Sequence, residues 1–150
     1  MKHILTPILL LTLLFPSLAY GLEMKDLVQR DGLYYKKFTD VPYTGKITGD
    51  KRGSFKDGKK NGPWVEYWSN GQLNRKGTYK NGERDGPWVG YHYKGKLFYK
   101  TTYKNGKKNG PFVQYYDNGQ LDRKGTYKNG GRDGPWVFYK RNGTKRFTKD

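Results

Sequence analysis

The chain has 150 residues, enough by length for one domain, and a formal net charge of +17. Hydrophobic residues make up only 33 % of it while aromatics contribute 17 %, so about half of the apolar complement is rings. Cysteine is absent, which excludes disulfide scaffolds, thiolate zinc sites and Cys nucleophiles.

In chain order, Lys2 is a short positive region, an apolar run from Ile8 to Phe15 follows, and Pro16 leads into Ser17-Leu18-Ala19. That pattern predicts a secretory signal over residues 1–19, cut after Ala19 or Gly21, and a periplasmic or extracellular protein. The run is short of the roughly 20 residues a spanning helix needs. Losing Lys2 lowers the formal charge from +17 to +16. Residues 20–52 read as an N-terminal cap, with a degenerate repeat over Tyr34 to Lys56.

From Gly53 onward a 24-residue period takes over. Four rows, 53–76, 77–100, 101–124 and 125–148, align without a gap. Each predicts two strands. Pro63 to Trp68 is short, ring-rich and β-branched at Val65, and Asn70-Gly71 is a two-residue hairpin signal into a return strand over Gln72 to Lys80. A longer turn, Asn81-Gly82 through Asp85-Gly86, leads to Pro87, at a strand start where the missing N–H is tolerated. A two-residue loop sets Trp68 opposite Leu73, Glu66 opposite Arg75 and Trp64 opposite Gly77. The equivalent pairs in later rows are Gly90 with Tyr99, Trp88 with Thr101, Gln114 with Arg123, and Phe138 with Phe147. Trp64, Trp88, Phe112 and Trp136 then share one face at roughly 10 Å per repeat, and Val65 and Tyr67 face the other way. The expected fold class is all-β, an elongated single-layer antiparallel meander of hairpins.

The rows resemble MORN repeats, and more closely the variant type of the bacterial YwqK-like family. The resemblance rests on the Tyr-Lys-Asn-Gly turns at Tyr79, Tyr103 and Tyr127, on Gly-Pro-Trp-Val-x-Tyr at Gly62, Gly86 and Gly134, and on Asn-Gly-Gln-Leu at Asn70 and Asn118. It covers Gly53 to about Thr148. It implies a twisted hairpin sheet used for binding other molecules; members are named as antitoxins, and other MORN proteins are linked to membranes, lipids and scaffolding.

Catalytic chemistry finds little to build on. Beyond the predicted signal His92 stands alone, at a position held elsewhere by Trp68, Tyr116 and Lys140, so neither a metal site nor a Ser-His-Asp arrangement can be assembled. Asp85 and Asp133 alternate with Asn61 and Asn109, and Asp57 with Asn81, Asn105 and Asn129, as turn residues do. Glu66 varies to Gly90, Gln114 and Phe138, which reads as a partner for Arg75 rather than an acid catalyst. Calcium at Asn129 to Gly134 is opposed by Lys128 and Arg132. The chain is read as non-enzymatic, with no catalytic residue, metal or cofactor.

Two sets of residues remain as binding candidates. An aromatic ladder comprises Trp64, Trp88, Phe112 and Trp136 with Tyr67, Tyr91, Tyr115 and Tyr139, suited to an apolar, sugar or peptide partner or else serving only to shield the strands. A basic ladder comprises Lys56, Lys80, Lys104 and Lys128 with Lys60, Arg84, Lys108 and Arg132, flanking one set of turns and expected to line one long edge, with Gly-rich turns offering N–H nests to anions. Its expected partners are lipid headgroups, lipopolysaccharide or acidic glycans, or a protein; a solvated, aggregation-resistant edge is the plainer reading. Nucleic acid is disfavoured by export and by the lack of an RRM-like core motif, although charge and rings are present. The expected function is an exported binding or scaffold protein, with a toxin-neutralising antitoxin or immunity protein as the alternative.

Overall fold

A computed structural model describes residues 21–149. The predicted signal over residues 1–19 lies outside the described residues. A single 3-10 turn, Met24–Asp26, precedes a small two-stranded sheet of β1 (Leu27–Arg30) and β2 (Leu33–Lys36). The rest of the chain builds one antiparallel sheet. Its strands are β3 (Gly45–Ile47), β4 (Lys51–Lys56), β5 (Lys59–Lys60), β6 (Gly62–Tyr67), β7 (Leu73–Lys80), β8 (Glu83–Tyr91) and β9 (Leu97–Lys104). It continues with β10 (Lys107–Tyr115), β11 (Leu121–Lys128), β12 (Gly131–Tyr139) and β13 (Lys145–Lys149). The spatial order runs β13 down to β6, then β4 and β3, with β5 paired to β4, so from β6 onward each strand lies beside its sequence neighbour. This is the meander that the period predicts.

The cross-strand pairs follow the expected register in the middle of each hairpin. Trp64 pairs with Gly77 and Glu66 with Arg75, while Gly90 meets Tyr99 and Gln114 meets Arg123. Phe138 and Phe147 stack at 4.6 Å with planes 18° apart.

The two kinds of turn exchange roles relative to the sequence reading. Asn70-Gly71 is not a two-residue loop. The Trp68 N–H donates to Gln72 O (2.8 Å), the Gly71 N–H donates to Trp68 O (2.9 Å), and of the Asn-Gly pair only Gly71 has positive φ, at 80°. That is a three-residue loop ending in a left-handed glycine bulge. It shifts the register, so Leu73 lies opposite Tyr67 instead of Trp68. The tight turn is the other one. Asn81 (φ 51°) and Gly82 (φ 89°) are both left-handed, and Lys80 pairs directly with Glu83. Asp57-Gly58, Asn105-Gly106 and Asn129-Gly130 repeat that conformation. Two positive φ values in succession match the right-handed twist of the flanking strands. The residues Arg84 to Gly86 are therefore strand, with a bulge that sets Gly77 across from Gly86, Pro87 and Trp88.

Trp64, Trp88, Phe112 and Trp136 share one face, termed here the indole face, and are sealed at 0, 0, 6 and 1 % exposure. Trp64 is level with Gly77, but an added Cβ at Gly77 would strike the Trp88 indole at 2.2 Å. The glycine that opens a row is thus covered by the ring of the following up-strand: Gly53 by Trp64, Gly77 by Trp88 and Gly125 by Trp136. Where Thr101 replaces the glycine, the covering ring is the smaller Phe112, its register partner on β10. The extra side-chain volume of the threonine is matched by the loss of one ring from the indole.

Candidate functional site

On the indole face the rings form edge-to-face stacks. Phe55 meets Trp64 at 5.5 Å, Trp64 meets Tyr79 at 5.5 Å, Tyr79 meets Trp88 at 5.1 Å and Trp88 meets Tyr103 at 6.2 Å. A second series joins Phe112, Tyr127 and Trp136 at 5.5 and 5.0 Å. Each such pair contributes about 0.5–1.5 kcal/mol beyond its buried area. Tyr34 and Tyr43 close one end against Phe55.

Half of the basic ladder completes this packing. Lys60 Nζ lies 4.5 Å from the Trp64 ring and 5.1 Å from Tyr79. Arg84 spans Trp88 and Tyr103 at 4.6 and 5.2 Å, Lys108 spans Phe112 and Tyr127 at 4.7 Å each, and Arg132 sits 4.6 Å from Trp136. Burial of Lys60 holds its ammonium below its ordinary pKa, with the Glu66 carboxylate partly opposing the shift. A single sheet has no second layer, and these aliphatic stems and cationic heads take its place. The expectation of an open tryptophan ladder gives way to a filled one, because cation and ring occupy the same space.

Polar groups on this face are paired in the first hairpin. Buried Glu66 accepts from Trp64 Nε1 at 3.1 Å and from Arg75 Nε and Nη2 at 2.9 and 2.7 Å. Glu66 is thus more than the expected partner of Arg75. The His92 position is also more constrained than its variability indicates. Trp68 Nε1 donates to Tyr91 O (3.3 Å), His92 Nε2 lies 3.0 Å from Tyr115 O, and Tyr116 Oη donates to Tyr139 O (2.9 Å). Three different ring donors fasten one repeat to the backbone of the next.

The glycine turns offer no anion nest. Gly82 N–H donates to Lys60 O, Gly106 N–H to Arg84 O and Gly130 N–H to Lys108 O, at 2.8, 3.0 and 2.8 Å. The Asn81 and Asn129 amides donate to the Asn61 and Asn109 side chains. Those donors stack one turn on the next instead of facing solvent.

The other half of the basic ladder lies on the opposite face. Along β7, Lys76, Thr78 and Lys80 alternate with the indole-face residues Arg75, Gly77 and Tyr79. The same alternation places Lys100, Thr102 and Lys104 on β9 and Lys124, Thr126 and Lys128 on β11. All six lysines are exposed. Between them run Pro87 and Val89, Pro111 and Val113, Pro135 and Val137, forming an open, mainly apolar groove of about 570 Å³. Tyr67 shares the Val65 side, where Arg52 stacks on it at 4.7 Å, and Tyr91, Tyr115 and Tyr139 hold the same repeat position, half-buried. The two basic rows thus part to opposite faces and do not share one edge. The proline–valine strip and the Lys76 row escaped the sequence reading, although Pro-x-Val recurs in all four rows and Lys at position 76 recurs in three.

A sheet of stapled hairpins with one face sealed and one face open defines a β-hairpin repeat protein. The family model described as MORN repeat variant matches it three times, over residues 60–81, 84–105 and 108–129. Each matched segment runs from a ring-covering cation to the first residue of a tight turn. No curated protein matches the chain.

Proposed function

We propose that this is a non-enzymatic binding or scaffold protein that works outside the cytoplasm and holds an anionic surface against its proline–valine face. MORN repeats support the binding or scaffold role in general terms. The observation that carries the finer reading is the division of the cations. Lys60, Arg84, Lys108 and Arg132 are committed to rings, whereas Lys76, Lys80, Lys100, Lys104, Lys124 and Lys128 are exposed, and Lys100 and Lys124 line the apolar groove.

Lysines spaced at about 10 Å along the sheet stand roughly one Debye length apart at physiological salt, so each acts nearly independently on fixed anions. An apolar strip between them favours a surface that offers acyl chains beside its charges, as lipid headgroups or lipopolysaccharide do. Each lysine near such a surface contributes about 1 kcal/mol. The signal-like pattern of residues 1–19 supports the reading of export.

The test is sedimentation with vesicles containing anionic lipid or lipopolysaccharide. Binding is expected at low salt, with loss as salt rises. The triple variant Lys76→Glu, Lys100→Glu and Lys124→Glu is expected to abolish it without lowering the melting temperature. Retained binding in that variant, or none by the parent protein at low salt, overturns the reading. Saturable binding of a protein to the same face, with no vesicle response, replaces the lipid by a protein partner such as a toxin.

A further inference from the structure

The indole face is not uniform. Its stacks are interrupted between Tyr103 and Phe112, and a cavity of about 310 Å³ opens there, lined by Phe98, Tyr99, Tyr103, Lys108, Phe112, Gln114, Arg123 and Tyr127. Sequence differences between hairpins account for its chemistry. In the first hairpin Trp64 Nε1 and Arg75 both donate to the Glu66 carboxylate. In the third, Phe112 stands where Trp64 does and carries no donor. Gln114 stands where Glu66 does and is neutral. The cation remains, as Arg123, and the acid nearest it is now Asp122, where the first hairpin has Asn74.

The consequences are visible in the hydrogen bonds. Arg123 Nη2 donates to Gln114 Oε1 at 2.9 Å, yet Arg123 Nε is buried with no hydrogen-bond partner. The Asp122 carboxylate accepts from Gln114 Nε2 at 2.8 Å and stands 3.8 Å from Arg123 Nε, outside hydrogen-bond reach. Lys108 adds a second cation to the lining, and no lining residue is acidic.

We infer that this cavity binds an aromatic ring carrying a carboxylate on a short arm, the ring entering among Tyr103, Phe112 and Tyr127 and the carboxylate accepting from the unpartnered Arg123 Nε–H beside Lys108. The volume suits one ring with a short acidic arm, at the small end of ligand sites. The rings provide stacking area, and a charge-assisted bond to a partly desolvated guanidinium is about twice as strong as a neutral one. The inference is independent of the proposed lysine-face function, since it concerns the opposite face.

The probes are phenylacetate and N-acetyl-Gly-Phe, each beside its neutral amide, followed by NMR signals of the lining residues. Phenylacetate stands for a free aryl acid and the dipeptide for a peptide ending in an aromatic residue; the tighter of the two identifies the source. Each acid is expected to bind at least tenfold more tightly than its amide. Gln114→Glu places a second carboxylate against Arg123, as Glu66 stands against Arg75, and is expected to compete with the bound acid and weaken it at least tenfold. Thr101→Gly with Phe112→Trp restores the pair found in the other repeats and is expected to fill the cavity, abolish binding and keep a cooperative melt. Equal binding of acid and amide, undiminished binding by Gln114→Glu, or no shift of the lining signals up to about 10 mM acid overturns the inference.

Discussion

At the residue scale, the glycine that faces an indole is the most constrained position. A Cβ at Gly77 would lie 2.2 Å from the Trp88 ring, and that ring has stacked neighbours and Arg84 above it, so nothing gives way cheaply. Gly77→Ala is expected to cost about 1–3 kcal/mol in urea unfolding, the range for an overfilled core. A loss under a few tenths would show the ring to be loosely held. Tyr99 makes a second, pH-dependent prediction. Burial raises its phenol above the ordinary 10.0, so the unfolded chain ionises first as pH rises through 10. The folded state then binds more protons than the unfolded one, and stability falls with pH in that window. Tyr99→Phe is expected to flatten the alkaline decline in melting temperature between about pH 9.5 and 11; an unchanged slope would assign the decline elsewhere. The Glu66–Arg75 pair was legible because charge faces charge at one repeat position. The sealing of Trp64 by Lys60 was not, since a lysine beside a turn reads as solvated until its stem is seen crossing a ring.

At the scale of elements, each row contains three Asn-Gly pairs or their equivalents, such as Asp57-Gly58, Asn61-Gly62 and Asn70-Gly71, and the strand pairing decides which is tight. Asn81 holds φ at 51° and is enriched there because its short side chain tolerates the left-handed region, whereas Asn70 has no positive φ and uses its Oδ1 to accept the Gln72 N–H at 3.0 Å. Asn81→Ala is therefore expected to cost about 1–2 kcal/mol and Asn81→Gly much less. For Asn70 the order reverses. Its φ needs no glycine, so Asn70→Gly is expected to be no better than Asn70→Ala. Comparing the four melting temperatures checks the assignment, and a parallel pattern at the two sites would refute it. The pairs look alike in sequence because the same dipeptide suits both the two-residue loop and the bulged three-residue loop; only the partner carbonyls distinguish them.

At the scale of the whole molecule, a single sheet acquires an interior by laying cations and tyrosines over a row of indoles. Trp64, Trp88 and Trp136 are sealed, and Trp68 is half-buried with its Nε1 bonded to the next repeat. Tryptophan emission is accordingly expected to be blue-shifted and poorly quenched by acrylamide in the folded protein, with quenching restored in denaturant. Ready quenching in the native state would mean an open ladder and return the indoles to the list of binding surfaces. The proposed function rests on the same division of faces: the rings and half of the basic ladder serve cohesion, and the exposed lysines lie on the other side.

The sequence by itself determined the period, the alternation of strand and turn and the pairs in the middle of each hairpin, because these depend on residues about ten apart inside one unit and are restated four times over; the pairing beside the loop, Leu73 with Tyr67, and the strand character of Arg84 to Gly86 it did not determine. It also contained one clue to the covering of glycines by the next up-strand: row three alone begins with Thr101 and alone carries Phe112 in place of tryptophan. What only the tertiary structure decided is how the units lean on one another. The staples from Trp68 to Tyr91, the turn-to-turn bonds from Gly82 to Lys60 and the cations folded over rings all join neighbouring repeats or opposite ends of long side chains. A linear pattern assigns a residue to a strand and a face. Whether that face is open depends on which neighbouring side chain reaches across it, and this is fixed by register, bulges and twist acting together.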